Sequence, residues 1–374
     1  MKRSRRLTSA LGLALGLAAS LAGCGGDPAS PAAAASTTTT TATETPPEKT
    51  IPYDTLSEYG FFEGPLVDQA PRAGVIPYEV VSPLWADHAG KGRYITLPEG
   101  EAITLGERED WQFPLGAIVI KTFFFALDQG DPDGAARILE TRLLILEEDG
   151  WKAYTYEWNE EQTEATRVVA GARIEVDYVD AAGSPAHAQY LVPNDNQCKS
   201  CHERDDVTMV LGLITPQVNR DVATPDGPRN QLEWLADQGV FRAPIPAPGD
   251  LPAFVDPGGG APLEERARSY LHANCSHCHR PGAGGGSSGL VLLEWERDPL
   301  KNGVCKGPVA AGPGTGGHDH DIVPGFPEES IMIFRMSSTD PETKMPELPN
   351  RISDAKGVEL VSAWIAAMVP PGCE

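Results

Sequence analysis

Positive charge is scarce in this chain: 30 Lys and Arg stand against 53 Asp and Glu, for a formal net charge of −23. A surface of that sign repels phosphate backbones, which argues against nucleic-acid binding. It suits partner proteins with basic surfaces, although solubility alone explains it equally well. Long apolar runs are missing too. The run from Leu11 to Leu21 is too short to span a bilayer comfortably. Also absent from the strand-like part of the chain is any recognisable nucleophile or acid pair, which argues against independent catalysis there.

What precedes and follows the short apolar run gives it a meaning. Lys2, Arg3, Arg5 and Arg6 form a basic n-region, so 1–23 reads as an export signal. The run ends in Leu21-Ala22-Gly23-Cys24, which resembles the bacterial lipobox. That resemblance implies a diacylglyceryl group on the Cys24 thiol, and two or three acyl chains make a durable anchor at about 0.8 kcal/mol per buried CH₂. Gly25, where an aspartate would retain the protein in the inner membrane, resembles the sorting pattern for the outer membrane. The expected location is exported, lipid-anchored and at the outer membrane facing the periplasm. Residues 24–50 are Ala, Thr, Pro and Gly with few large apolar groups, and read as a disordered tether. The remainder is more than one core usually organises, so two or three domains are expected.

Seven cysteines occur. Besides Cys24, four fall in Cys198-Lys199-Ser200-Cys201-His202 and Cys275-Ser276-His277-Cys278-His279, the haem c attachment spacing twice over. Two thiols so spaced can add to the two vinyl groups of one porphyrin, and the histidine that follows then reaches the iron. The expected cofactors are two haem c groups, with His202 and His279 as iron ligands. Zinc is an alternative use of these thiols, but it would draw both pairs to one metal and needs no histidine after either. A redox disulfide usually sits in a thioredoxin-like βαβ context, which the pattern lacks. Cys305 and Cys373 remain, and an oxidising compartment makes a disulfide between them the default. On the chain-entropy model it contributes roughly 4 kcal/mol.

From residue 51 to 191 the pattern has period two. Ile118 to Phe125 is β-branched and aromatic, Ile138 to Leu146 alternates, and Tyr154, Tyr156 and Trp158 share a face. Asp149-Gly150 marks a tight hairpin. The segment reads as a β-rich, sandwich-like domain or small barrel; Lys121, Glu140 and Arg142 inside its strands could form a buried polar cluster, but solvent-facing cross-strand pairs are the expectation. After Leu191 the strand pattern stops, and the spacing of the two motifs predicts a first haem domain over 192–257 and a second over 258–374. The expected fold class is multidomain: an N-terminal all-β sandwich-like domain followed by two mainly α-helical cytochrome c-like haem domains. In the last of these, Leu263, Ala267, Tyr270, Leu271 and Asn274 recur at helical spacing and lead into Cys275. Ser353 and Asp354 precede a run in which Val358, Val361, Ile365 and Met368 share one face. A first helix ending in CxxCH and a last helix crossing it resemble class I cytochrome c.

The class I pattern places the sixth iron ligand on a downstream methionine, commonly followed by proline. Met345-Pro346 fits that description, so Met345 is the expected ligand at the second site. His/Met ligation raises a reduction potential. Met332 and Met336 lie in an apolar stretch that reads as a core helix. For the first site Met209, His187 and His272 all stand as candidates, beside a vacant sixth position. Met209 follows His202 so closely that the chain, at most about 25 Å long when extended, wraps a porphyrin edge only tightly. His318 and His320 belong to a glycine-rich loop.

Taken together, Gln197 to His202, Asn230-Gln231-Leu232 and Tyr270 to Gly282 resemble a family of uncharacterised bacterial diheme c-type cytochromes. Gly303 to Lys306, Ile322 to Gly325, Met345 to Leu348, Ser82 to Trp85, Phe113 to Gly116 and Glu140 to Arg142 extend the match. The resemblance implies haem attachment at Cys198, Cys201, Cys275 and Cys278, and a parallel β-helix protein as partner. It supplies no substrate.

The expected function is electron transfer. The alternatives are a diheme peroxidase-like enzyme with a five-coordinate first haem, and a cytochrome subunit that docks on a partner dehydrogenase through the β-rich domain. For the anchor, radiolabelled palmitate should enter the wild-type chain and not Cys24→Ala, and processing should stop with globomycin. An unlabelled wild type beside a labelled control lipoprotein would sink the lipobox reading.

Overall fold

The computed structural model describes residues 50–373 apart from 310 and 349. The export signal, Cys24 and all but the last residue of the tether lie outside the described residues. No helix among those described is long and apolar enough to cross a membrane.

The centre of the structure is one six-stranded antiparallel meander in sequential order: β1 (Val75–Pro77), β2 (Gly90–Thr96), β3 (Ile118–Ala126), β4 (Ala136–Glu147), β5 (Gly150–Trp158) and β6 (Ala165–Val168). A two-stranded hairpin, β7 (Ala172–Val179) and β8 (Pro185–Val192), follows it. β-Branched and aromatic residues dominate β3, which suits a pleated surface buried on both sides. Gly150 takes φ +111° where β4 turns into β5, a backbone state that L side chains avoid.

One face of the meander buries Ile120, Leu143 and Tyr156 under Leu56, Phe61 and Phe62 from the N-terminal segment. The opposite face divides. At one end Ile95, Val119 and Leu144 pack with Leu213, Leu232 and Leu235 from beyond the hairpin. At the other end Phe123 and Leu139 pack with Ile174, Val176 and Tyr190 of the hairpin.

The sequence-based architecture needs correction here. The structure is mostly β, with six short α-helices among the described residues, and two helical cytochrome domains are not found. The β-rich part is a single meander with a hairpin in place of a sandwich. In the segment of the first motif the helices α1 (Asp195–His202), α2 (Thr215–Val218) and α3 (Gln231–Asp237) alternate with two-stranded ribbons, Glu203–Arg204 with Val207–Thr208 and Asp221–Thr224 with Gly227–Asn230. Helices this short do not stand alone in water. Their apolar residues pack on the sheet, so the segment shares the sheet's core and builds none of its own. Buried glutamines fasten it: Gln217 bridges the backbone N–H and C=O of Ser82, and Gln231 does the same for Glu79. The described residues all fall within one unit, 49–374.

Beyond it, α4 (Leu263–Cys275), α5 (Ile331–Ser337) and α6 (Ala355–Ala366) share a small core of Ala267, Leu271, Met336, Val361, Trp364 and Ile365, while most of the chain between α4 and α5 is turns and short 3-10 helices. The expected run from Leu263 into Cys275 is α4, and Asp354 is the N-cap of α6. Cys305 and Cys373 form a disulfide, joining that turn-rich segment to the C-terminal end. Where α4 crosses α6, a Cβ on Gly357 would lie 2.0 Å from the Tyr270 hydroxyl oxygen.

Helix propensity alone would make Gly357→Ala stabilising by up to about 1 kcal/mol. The crossing reverses the sign. Gly357→Ala should destabilise by about 2 kcal/mol in denaturant unfolding, and Gly357→Ala combined with Tyr270→Phe should recover part of that loss.

Candidate haem-attachment sites

Both Cys-x-x-Cys-His motifs are held in helical turns, which bring residues i, i+3 and i+4 to one side. The first is α1 itself, whose N-terminus is closed by a reciprocal cap: the Asn194 side chain accepts from the Gln197 N–H at 2.9 Å, and the Gln197 side chain accepts from the Asn194 N–H at 3.0 Å. The second begins on the last residue of α4 and continues as a turn, with the N–H of Cys278 and of His279 donating to the Cys275 carbonyl at 3.2 and 2.8 Å.

Each motif lines a cavity, and Cys201 and His277 line both. The first, about 1310 Å³, contains Cys198, Cys201 and His202. The second, about 1210 Å³, contains Cys275, Cys278 and His279 together with Met345 and Met336. Met345 is thus brought to the second motif, as its place before Pro346 predicts, and Met336 faces the same space from the edge of the helical core.

Hydrogen bonds set the tautomer of both motif histidines. His202 Nδ1 lies 2.8 Å from the Met209 carbonyl, which can only accept, so Nδ1 carries the proton. His279 Nδ1 lies 3.1 Å from Ser288 Oγ, and that hydroxyl already donates to the Gly285 carbonyl at 2.6 Å. Nδ1 of His279 is therefore the donor as well. In each ring Nε2 keeps its lone pair and has no hydrogen-bond partner among the described residues. This is the state in which histidines ligate metals. Burial pushes both imidazoles down to about 4, so they are neutral at pH 7.

The candidates for a sixth ligand at the first site are placed differently. His187 is exposed on β8, bridges Asp177 and Glu175 at 2.8 Å each, and lines neither cavity. His272 is buried in the wall of the first cavity, but in the other tautomer. Its Nδ1 accepts from the Glu294 N–H at 3.2 Å, so the proton sits on Nε2, 3.6 Å from Glu109. Met209 lines the first cavity while its backbone carbonyl lies on the Nδ1 side of His202.

The two cavities meet. Cys278 Sγ donates to the Ser200 carbonyl at 3.4 Å, and Cys201, His277 and Cys278 have ligand atoms within 4.8 Å of one another. Cys198 and Cys275 stand outside that group, so the four thiols do not converge as a structural zinc site requires. Burial pushes Cys275 up to about 12 and raises Cys198. Contact between the other two thiols holds Cys201 low and Cys278 high.

Two groups that no local pattern indicates hold the motifs together. Glu109 accepts from Arg280 through both oxygens, at 2.9 and 2.5 Å, and faces Arg204 at 3.7 Å, so one carboxylate binds the loops after both motifs. Asp87 accepts from the N–H groups of Arg351 and Ile352, and the Trp85 N–H donates to Asn274 on α4 at 2.7 Å. Lys121 and Arg142 line the first cavity, which corrects the expectation that they face solvent in cross-strand pairs: they sit on the buried face of the sheet.

Compared with family models, curated proteins and solved structures, the chain matches none.

Burial works against ionisation of Glu109, but its hydrogen bonds and charge pairing with Arg280 outweigh it and hold the carboxyl below the usual range. A depressed folded-state value means stability that is full above the unfolded carboxyl's titration and lost as pH falls through the folded one. Glu109→Gln should therefore cost about 3 kcal/mol at pH 7, with the gap to wild type closing below about pH 4, as urea midpoints across pH would show.

Proposed function

We propose that the chain is an exported, lipid-anchored diheme c-type cytochrome that relays electrons. Cys198 with Cys201 and Cys275 with Cys278 would each hold one haem c. Each sulfur would bond to one vinyl carbon and its proton would go to the other, so that nothing leaves. His202 and His279 would be the iron ligands, with Met345 as the sixth ligand at the second site. Bound there, haem supplies a one-electron iron couple. The observation that carries this reading is the matched state of the two motifs. Each faces a cavity with two thiols and one neutral imidazole whose Nε2 lone pair is uncommitted.

The chain's own part is to orient and to exclude water. The Met209 carbonyl and Ser288 hydroxyl hold the imidazole planes, and the walls of both cavities limit solvent access. The nearness of the two motifs supports transfer between the sites, since the sulfurs of Cys201 and Cys278 lie within 4.8 Å of one another. The acidic surface favours a basic redox partner.

A peroxidase-like reading is favoured by one observation. His272 presents a protonated Nε2 towards Glu109, so it offers the first iron no lone pair.

Wild-type protein should give two haems per chain in a pyridine haemochrome assay, and Cys198→Ala or Cys275→Ala should each remove half. Zinc in place of haem would end the proposal. A reduced protein that ignores carbon monoxide is a relay, whereas carbon monoxide binding with peroxide turnover selects the enzyme.

A further inference from the structure

Strand register places three cations side by side on the buried face of the sheet. Arg93 on β2 is directly opposite Lys121 on β3, and Lys121 is directly opposite Arg142 on β4. All three line the first cavity. Like charges in directly opposed positions destabilise a sheet, and a buried cation without a counter-charge costs more.

Within the chain the row is only partly compensated. Glu140 pairs with Arg142 at 2.8 and 2.5 Å and also accepts from the Tyr190 hydroxyl at 2.6 Å. The Arg93 side chain has one acceptor, the Lys91 carbonyl at 3.4 Å, and Lys121 Nζ has none among the described residues. Two other carboxylates line the cavity. Glu109 is held by Arg280, and Glu203 lies beyond ion-pair distance of all three cations. Burial and the neighbouring guanidinium groups push the Lys121 ammonium down to about 7, the response of a cation lacking its counter-charge.

We propose that Arg93, Lys121 and Arg142 form a carboxylate-binding site in the wall of the first cavity, for a ligand with an apolar body. Two guanidinium forks flanking an ammonium match carboxylate oxygens. The same cavity offers Val210 and Leu211 to an apolar body. Two sources carry this chemistry: the carboxylates of a haem attached at Cys198 and Cys201, or a diffusible carboxylate. The site itself does not depend on haem attachment. Only the first source rests on the proposed function.

The test uses the full chain, haem-loaded and haem-free, with sodium propionate as the probe and sodium chloride at equal ionic strength as the control. In the haem-free chain propionate should raise the melting temperature, and Arg93→Gln with Lys121→Gln should weaken half-saturation at least tenfold. Without ligand that double variant should melt no lower than wild type, since it removes like-charge repulsion; a merely structural role would lower it. A response confined to the haem-free chain assigns the site to the haem's own carboxylates. A response in the loaded chain assigns it to a diffusible one. No response in either form, or an unchanged response in the double variant, overturns the proposal. Failure to load haem sinks the proposed function and leaves the haem-free measurement intact. Should the haem-free chain not fold, the loaded chain carries the test: for the haem's own carboxylates the first-site potential of the double variant should gain a pH-dependent step that wild type lacks, and an unchanged pH profile together with no propionate response in the loaded wild type overturns the proposal.

Discussion

The apolar contact between the segment of the first motif and one end of the sheet is the constraint on which the rest depends. Leu213, Leu232 and Leu235 have no core of their own to enter, so they complete the one begun by Ile95, Val119 and Leu144. Area removed from water is worth about 25 cal/mol per Å², and helices of one or two turns have no other source of stability on that scale. That contact brings α1 against β5. The first motif is then delivered to a cavity whose floor is a β-strand, and the second reaches its edge through the loops that Glu109 ties together.

Electrostatics works against this arrangement as much as for it. The sheet could have carried apolar side chains at Arg93, Lys121 and Arg142, between the two apolar clusters of the same face, at lower cost to folding. Glu140 offsets one of the three charges through a two-point contact and a tyrosine hydroxyl. Glu109 sits across the cavity and is already engaged by Arg280. Charges retained in so costly a place are the mark of a site with a task, in the same way that perturbed titratable groups gather at functional positions.

Several of these features had a signal in the sequence that was open to a different weighting. Lys121 shares strand parity with Val119 and Phe123, both buried, so alternation alone sends it inward. Charge suggested the opposite, and parity prevailed because Val119 and Phe123 on either side are committed to the buried face. The α4 stripe and the α6 cap were legible because each depends on neighbours within two turns. Glu109 and Asp87 were not. Each acts on chain more than a hundred residues away, and nothing near either residue distinguishes it from an ordinary surface acid.

The thiol and imidazole pattern of each motif, by contrast, is a local property. Thiols at i and i+3 with a histidine at i+4 adopt a usable geometry wherever a single helical turn forms, so the sequence by itself determined which atoms stand ready at each site. It also determined the strands, whose period is two, and the partners Cys305 and Cys373, the two thiols left over. The tertiary structure decided the architecture, because whether a short amphipathic segment builds a domain or joins a neighbour's core depends on the area available elsewhere in the chain. It decided the tautomers of His202, His279 and His272, since those are set by acceptors and donors brought in from other turns. And it decided that the two motifs touch: contact between Cys278 and Ser200 is a matter of how loops pack, which no spacing along the chain encodes.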